Sequence, residues 1–428
     1  MKKNATNQRS SKKILNNRSL STRNGFKVAG FTLIIYCNPC ERTSLKRIMR
    51  TLKRSLSMTE KKAVKIEKAY GTVNLKMLKE FTEADGISGC EKEATRVMKK
   101  WIGDAADEIT YDNLGSLIAL QKGTGNGPKV MMAGHIDEIG FVVRSIDDNG
   151  YIRIAPIGGW WGHVLPSQQI IITTREGKKV TGMIGCKPPH GLPLEVRNKV
   201  MEIKDMFIDI GVKDKNEVDL VGVSIGDMIT PKSEFTVLNN PNYMMAKAWD
   251  NRVGALIASE VLLRLKGTSH KADLYAVGTV QEEVGLRGAK TATYAVKPDL
   301  AIAVDVTIAD DTPGSESHIK EGVGVTFEVL DSSHLGHRGL LHYLSDLAKE
   351  LKINVQYEVL QVGGTDSGEI HKSFDGIINV TMSIPARYIH SHRSVIHRKD
   401  YVDTITLLSE FCKRLDWKLL EELRVSNR

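Results

Sequence analysis

The sequence predicts an α/β protein with a mixed central sheet flanked by helices and a small inserted β-barrel. Three observations predict it. Between residues 73 and 139, strand-length apolar runs alternate with segments of helical periodicity. From 140 to 238 the texture changes to short alternating segments punctuated by Gly and Pro, as in Tyr151 to Ile157, Gln169 to Thr174 and Lys179 to Ile184. From 239 to 428 the α/β rhythm returns, so the main domain is discontinuous and the insertion, roughly a hundred residues long, is large enough to form its own barrel.

In chain order, residues 1–72 are expected to be a basic extension, either disordered or targeting. They are rich in Lys, Arg, Ser and Asn, and the apolar run from Val28 to Cys37 is far shorter than the roughly 20 residues needed to span a bilayer. That run suits the h-region of a signal, the composition suits a transit peptide, and Met58 is an alternative start. The expected location is cytoplasmic, with organelle targeting left open by this segment. Helices are expected over Leu75 to Thr82 and Glu91 to Ile109, the second presenting Ala94, Val97, Met98, Trp101, Ile102 and Ala105 on one face. Strands follow at Ser116 to Gln121 and Lys129 to Ala133. After the insertion come a helix over Asn251 to Leu265 and strands at Ala272 to Thr279, Leu300 to Val306, Gly322 to Leu330, Asn354 to Leu360 and Gly376 to Ile384. Two further helices are expected, His337 to Leu351 and Asp400 to Leu420.

The formal charge of +9 misleads. Residues 1–70 hold 18 Lys and Arg against 3 Glu, whereas the rest of the chain holds 42 basic against 48 acidic residues. Positive charge confined to one terminal segment does not make a nucleic-acid-binding surface, so no nucleic acid is expected as partner. Five cysteines, Cys37, Cys40, Cys90, Cys186 and Cys412, are too scattered for a disulfide framework and point to a reducing compartment. Cys37-Asn38-Pro39-Cys40 is a lone CxxC without a second pair.

Chemistry concentrates at the ends of the apolar runs. His135, Glu282, Glu283, Asp305 and His390 lie at or just beyond the expected carboxyl ends of strands, where open α/β sheets build their sites. A strand-end His followed two residues later by Asp137 allows the carboxylate to accept the second ring N–H and fix the tautomer of a metal ligand. Asp250 directly precedes a helix, where capping would be the ordinary role; bridging two cations would require Asn251 or water to satisfy the helix start instead. The neighbouring Glu282 and Glu283 must diverge, so one can bind metal while the other takes the proton of an attacking water. Asp305 ends an apolar run, a costly place for an uncompensated charge. By spacing alone, His390 and His392 are equal candidates, with His334, His337 and His397 read as surface or pocket histidines. Together these residues read as a two-metal hydrolase site. Gly363-Gly364-Thr365-Asp366-Ser367-Gly368 lacks the lysine of a phosphate-binding loop and reads as a pocket wall.

From roughly Asn74 to Leu420 the chain resembles the tetrahedral (TET) aminopeptidases, a family of dinuclear metallopeptidases with glutamyl and deblocking members, some labelled cellulase M. The strings that carry the likeness are Ala133-Gly134-His135-Ile136-Asp137-Glu138-Ile139-Gly140, Ala248-Trp249-Asp250-Asn251-Arg252, Val280-Gln281-Glu282-Glu283-Val284-Gly285, Asp305-Val306-Thr307 with Asp311-Thr312-Pro313-Gly314, and Arg387-Tyr388-Ile389-His390-Ser391. The resemblance implies that His135 and Asp305 bind one metal, Glu283 and His390 the other, and that Asp250 bridges them with Glu282 as general base. It implies two divalent ions, zinc or cobalt, and peptide substrates with a free N-terminus. It also implies a zinc-exopeptidase-like fold, a dimerisation role for residues 140–238, and a tetrahedral dodecamer without a stable membrane anchor. The competing readings are a dinuclear carboxypeptidase or amide deacylase and, further off, a glycosidase, which would need a pair of carboxyls and no metal.

Overall fold

Alternation of apolar runs and turns in this sequence resolves, in a computed structural model describing residues 25–28, 31–34, 73–315 and 318–427, into three sheets. The chain divides into two units, Met1–Lys65 and Ile66–Arg428. In the first, β1 (Gly25–Val28) and β2 (Phe31–Ile34) pair antiparallel. The CxxC pair, Met58 and the expected character of the rest of residues 1–72 lie outside the described residues.

The described part of the second unit opens with the helices Leu75–Glu83 and Lys92–Ile102, followed by β3 (Glu108–Tyr111), β4 (Leu117–Gln121) and β5 (Lys129–His135). The chain then enters a closed barrel of β6 (Gly140–Ile146), β7 (Ile152–Ile157), β8 (Gln169–Thr173), β9 (Lys179–Gly185), β10 (Phe207–Asp209) and β11 (Met228–Pro231), ordered β10-β7-β6-β11-β8-β9. Every second residue of β9 points inward, and Phe141, Ile154, Ile172, Ile208 and Ile229 belong to a core separate from that of the main sheet.

The remaining strands are β12 (Thr236–Val237), β13 (Tyr243–Ala246), β14 (Asp273–Thr279), β15 (Leu300–Ile308), β16 (Val325–Leu330), β17 (Val355–Val359), β18 (Ile378–Arg387) and β19 (Ser394–His397). With β3 to β5 they complete an 11-stranded mixed sheet. Its centre, β14-β5-β15-β18, is parallel, and antiparallel strands flank it on both sides. Helices cover both faces, which is why β5 and β15 read as unbroken apolar runs rather than alternating ones. On one face the segment Trp249–Leu265 is buried almost all round, far beyond the inward stripe of Val253, Leu256, Ile257 and Val261. Gly134 permits that closeness, since a Cβ there would lie 2.4 Å from the backbone of Gly254 and Ala255.

Two expected helices are shorter than predicted. The one from Glu91 stops at Ile102 because Gly103 takes a positive φ of 51°. The one expected over Asp400 to Leu420 is two helices, Arg398–Arg414 and Trp417–Val425, since Asp416 turns to cap the second by accepting the Leu419 N–H at 3.0 Å. The short strands β13 and β19, which join β12 to β18 in the sheet, carry too few residues to show a period and are absent from the sequence expectation. Among the described residues, no helix is long and apolar enough to cross a membrane.

Candidate metal centre

Strand register assembles the site. Thr279 pairs with His135, and Ala303 pairs with Ala133, so Asp305 stands level with His135 on the next strand. Thr279 leads directly into the turn that carries Glu282 and Glu283, and β18 runs out to His390. All five strand-end candidates therefore meet at the carboxyl edge of the parallel strands.

Asp250 lies at the middle. Its Oδ1 is 3.1 Å from His135 Nε2 and its Oδ2 is 3.2 Å from His390 Nε2, so the two oxygens of one carboxylate face two histidines. Neither oxygen caps the helix. The backbone at Asp250 and Asn251 is non-helical, the peptide between them is cis, and Asn251 Oδ1 accepts the Gly254 N–H at 3.0 Å. Capping thus falls to Asn251 and leaves Asp250 free.

Glu282 and Glu283 diverge as neighbours on a turn must. Glu282 Oε2 lies 3.7 Å from His135 Nε2, and Glu283 Oε2 lies 3.8 Å from His390 Nε2. Ligand atoms of His135, Glu282 and Asp305 fall within 4.8 Å of one another, as do those of His135, Asp250 and Glu283. Glu282 thus stands as close to His135 and Asp305 as a ligand would.

Asp137 is fully buried, as is His135 beside it. Its Oδ1 is 3.5 Å from His135 Nδ1, which also faces the Asp137 carbonyl at 3.1 Å. The same carboxylate accepts the backbone N–H groups of Glu282 and Glu283, at 3.1 and 3.2 Å. Sequence spacing pointed to its contact with His135 but carried no signal for its grip on the 282–283 turn.

The remaining histidines separate from the site. His392 is buried against Trp160, its ring 5.4 Å away, with both nitrogens unpartnered, and burial pushes it down to about 4. His337 accepts the Leu340 N–H as a helix cap, and His334 stacks edgewise on His371. His334 and His397 are buried, not at the surface. In the glycine-rich loop Gly363 and Gly364 are exposed, whereas Asp366 is buried and accepts a hydrogen bond from Thr279 Oγ1 at 2.5 Å. One contributor comes from the barrel, the Gly159 carbonyl, which receives His390 Nδ1 at 2.7 Å. A Cβ at Gly159 would crowd that ring at 3.1 Å.

The electrostatics are those of a cation site. Burial pushes the Glu282 and Asp305 carboxyls far up and Glu283 to about 8, neighbouring acids adding to the shift and the histidines opposing it. Asp250 goes the other way, because hydrogen bonds from His135 and His390 outweigh its burial. The bond to Asp250 raises His390 to about 9, and Glu282, Asp137 and Asp250 overcome burial to raise His135. Glu283 Oε1 is buried without a hydrogen-bond partner. A set of imidazole and carboxylate donors, crowded with negative charge and including an orphaned oxygen, fits divalent cations.

A mixed sheet with this donor set at the carboxyl edge of its parallel strands defines a metallopeptidase-type hydrolase. The chain belongs to the M42 glutamyl aminopeptidase family, whose family model matches residues 115–407, and it is a peptide hydrolase. A second model, AMPT, matches residues 72–98. The glutamyl aminopeptidase of Lactococcus lactis is 34% identical over 81% of this chain and 98% of its own length. The crystal structure of a TET aminopeptidase from a marine sediment Thaumarchaeota archaeon is 40% identical with a TM-score of 0.79, covering 82% of this chain and 99% of that one. The TET1 peptidase of Pyrococcus horikoshii, described as assembling into a tetrahedron or a large octahedral shell, is 31% identical with a TM-score of 0.72, covering 80% and 99%.

Proposed function

We propose that this protein is a dinuclear aminopeptidase that removes N-terminal residues from short peptides. The observation that carries the reading is the Asp250 carboxylate, with one oxygen facing His135 and the other His390. On this reading His135 and Asp305 would hold one ion and Glu283 and His390 the other, with Asp250 serving both. When bound, the ions would supply Lewis-acid polarisation of the scissile carbonyl and of the attacking water.

The chain's own groups do the rest. Glu282, buried and short of hydrogen-bond donors, takes the proton of the attacking water on a side-chain oxygen and later delivers it to the leaving amine. Asp137 fixes the imidazole of His135 and the backbone that aims Glu282. The surplus of carboxylates gives a free α-ammonium group a favourable field, which favours cleavage from the amino end.

The barrel formed within residues 140–238 is the proposed dimerisation element, and the tetrahedral dodecamer the proposed assembly. The described thiols, Cys90, Cys186 and Cys412, are free, in keeping with a cytoplasmic location. The test is cleavage of one peptide in free, N-acetylated and C-amidated forms. Cleavage of the free and C-amidated forms alone supports the aminopeptidase; equal cleavage of the N-acetylated form points to the carboxypeptidase or deacylase reading.

A further inference from the structure

We propose that Glu91 is a positioning residue for the turn carrying the general base, acting with Ser88 to fix the backbone that aims Glu282. The inference rests on the reading of Glu282 as that base. Glu91 precedes the helix Lys92–Ile102, yet its side chain makes no capping bond to it. Instead its buried carboxylate turns away, and Oε1 accepts the Gly89 N–H at 2.6 Å and the Gln281 N–H at 3.2 Å, the latter from 190 residues along the chain.

Gln281 is the residue that needs holding. Its φ is +56°, a left-handed conformation that a residue with a Cβ adopts only under constraint. That conformation turns the chain from the end of β14 towards Glu282. Its two oxygens are held by Arg287, the carbonyl by the backbone N–H at 3.2 Å and Oε1 by the guanidinium at 3.3 Å. Glu91 supplies the opposing hold on the N–H.

Ser88 completes the clamp. Its hydroxyl donates at 2.6 Å to Asp137 Oδ2, the oxygen that accepts the Glu283 N–H, while Asp137 Oδ1 accepts the Glu282 N–H. Residues 88–91 thus grip three consecutive backbone N–H groups, that of Gln281 directly and those of Glu282 and Glu283 through Asp137. A general base must sit within hydrogen-bond reach of its proton, and a displacement of about 1 Å costs on the order of 100-fold in rate. Neither Glu91 nor Ser88 touches substrate in this scheme.

The test uses the full chain reconstituted with cobalt and compares wild type, Glu91→Ala, Glu91→Gln, Ser88→Ala and Glu282→Gln on a peptide with a free N-terminus. Glutamine keeps the acceptor oxygen, and alanine does not. Glu91→Ala should lower kcat by roughly 10- to 100-fold, with KM within about twofold and metal content as in wild type; Glu91→Gln should stay within about threefold of wild-type kcat. Wild-type kcat in Glu91→Ala, a Glu91→Gln variant as slow as Glu91→Ala, or a loss that tracks lost metal overturns the proposal. Should Glu91→Ala not fold, Ser88→Ala decides: a several-fold fall in kcat at full metal content supports the clamp, and wild-type kcat overturns it. If Glu282→Gln turns over like wild type, the general-base reading falls and the proposal with it; if that variant is dead and Glu91→Ala is unimpaired, only the positioning role falls.

Discussion

Asp137 Oδ1 accepts the backbone N–H of Glu282 at 3.1 Å, joining the loop after β5 to the loop after β14 across 145 residues of sequence. One buried carboxylate therefore orients the His135 ring and the turn that carries Glu282 and Glu283. Asp137→Ala should lower kcat and weaken metal binding by roughly 10- to 100-fold, as loss of a partner that orients a ligand histidine does. Metal titration alongside steady-state kinetics checks both; a variant with normal metal affinity and normal kcat would leave Asp137 without the role assigned.

Glu282→Gln keeps the shape of the side chain and removes its capacity to take a proton. Turnover should fall by roughly 10²- to 10⁴-fold while the metal content stays near that of wild type. Elemental analysis of the purified variant is the discriminating readout, because Glu282 also stands within ligand distance of His135 and Asp305. Loss of an ion would make Glu282 a ligand.

Metal affinity should rise with pH. Without cations burial and the Asp250 carboxylate push Glu283 up to about 8, so near pH 7 its carboxyl holds a proton that a cation must displace, and Glu282 and Asp305 are raised in the same direction. Each displaced proton steepens the dependence by about a factor of ten per pH unit below pH 8. The same shifts fix the sign for stability. Carboxyls raised in the folded state favour it below their unfolded values, and that contribution is lost as pH rises through the folded ones. Metal-free protein should therefore lose thermal stability between about pH 5 and 8, and added metal should restore it. Melting curves across that window, with and without cobalt, test the point; a metal-free Tm that climbs through it would contradict the charge balance described.

Beside the site, Lys247 is almost fully buried between Asp85 and Glu138, at 2.8 and 2.7 Å, and Glu138 also faces Arg252 at 3.5 Å. Asp85 in turn receives the Thr230 hydroxyl from β11 and Lys179 from β9. Removing Lys247 strands two buried carboxylates, so Lys247→Met should cost about 3–5 kcal/mol, read by denaturant unfolding. A loss below about 1 kcal/mol would show that Arg252 and Lys179 suffice.

Much of this was legible in the sequence where signals are local. Apolar runs ending in His135 and Asp305 marked buried strands with charges at their carboxyl ends, and the change of texture after Gly140 marked the barrel strands. Choosing between His390 and His392 was not a matter of spacing. In the structure the left-handed backbone at Tyr388 and His390 turns the His390 ring to Asp250, while the His392 ring packs on Trp160. The release of Asp250 from capping depended on the side-chain amide of its neighbour, a possibility that a helix-start pattern raises but does not decide. Partners such as Gly159 and Glu91 were invisible, because each reaches the site from a distant part of the chain through a hydrogen bond that leaves no periodicity.

The most direct measurement is a titration of metal-stripped protein with cobalt while hydrolysis of a peptide with a free N-terminus is followed. With Asp250 bridging a pair of ions, activity should be absent at the start and climb to its plateau at two equivalents per subunit, and Asp250→Ala should retain neither ion nor activity. Full activity at one equivalent, or any substantial turnover by the stripped protein, would contradict the bridged pair.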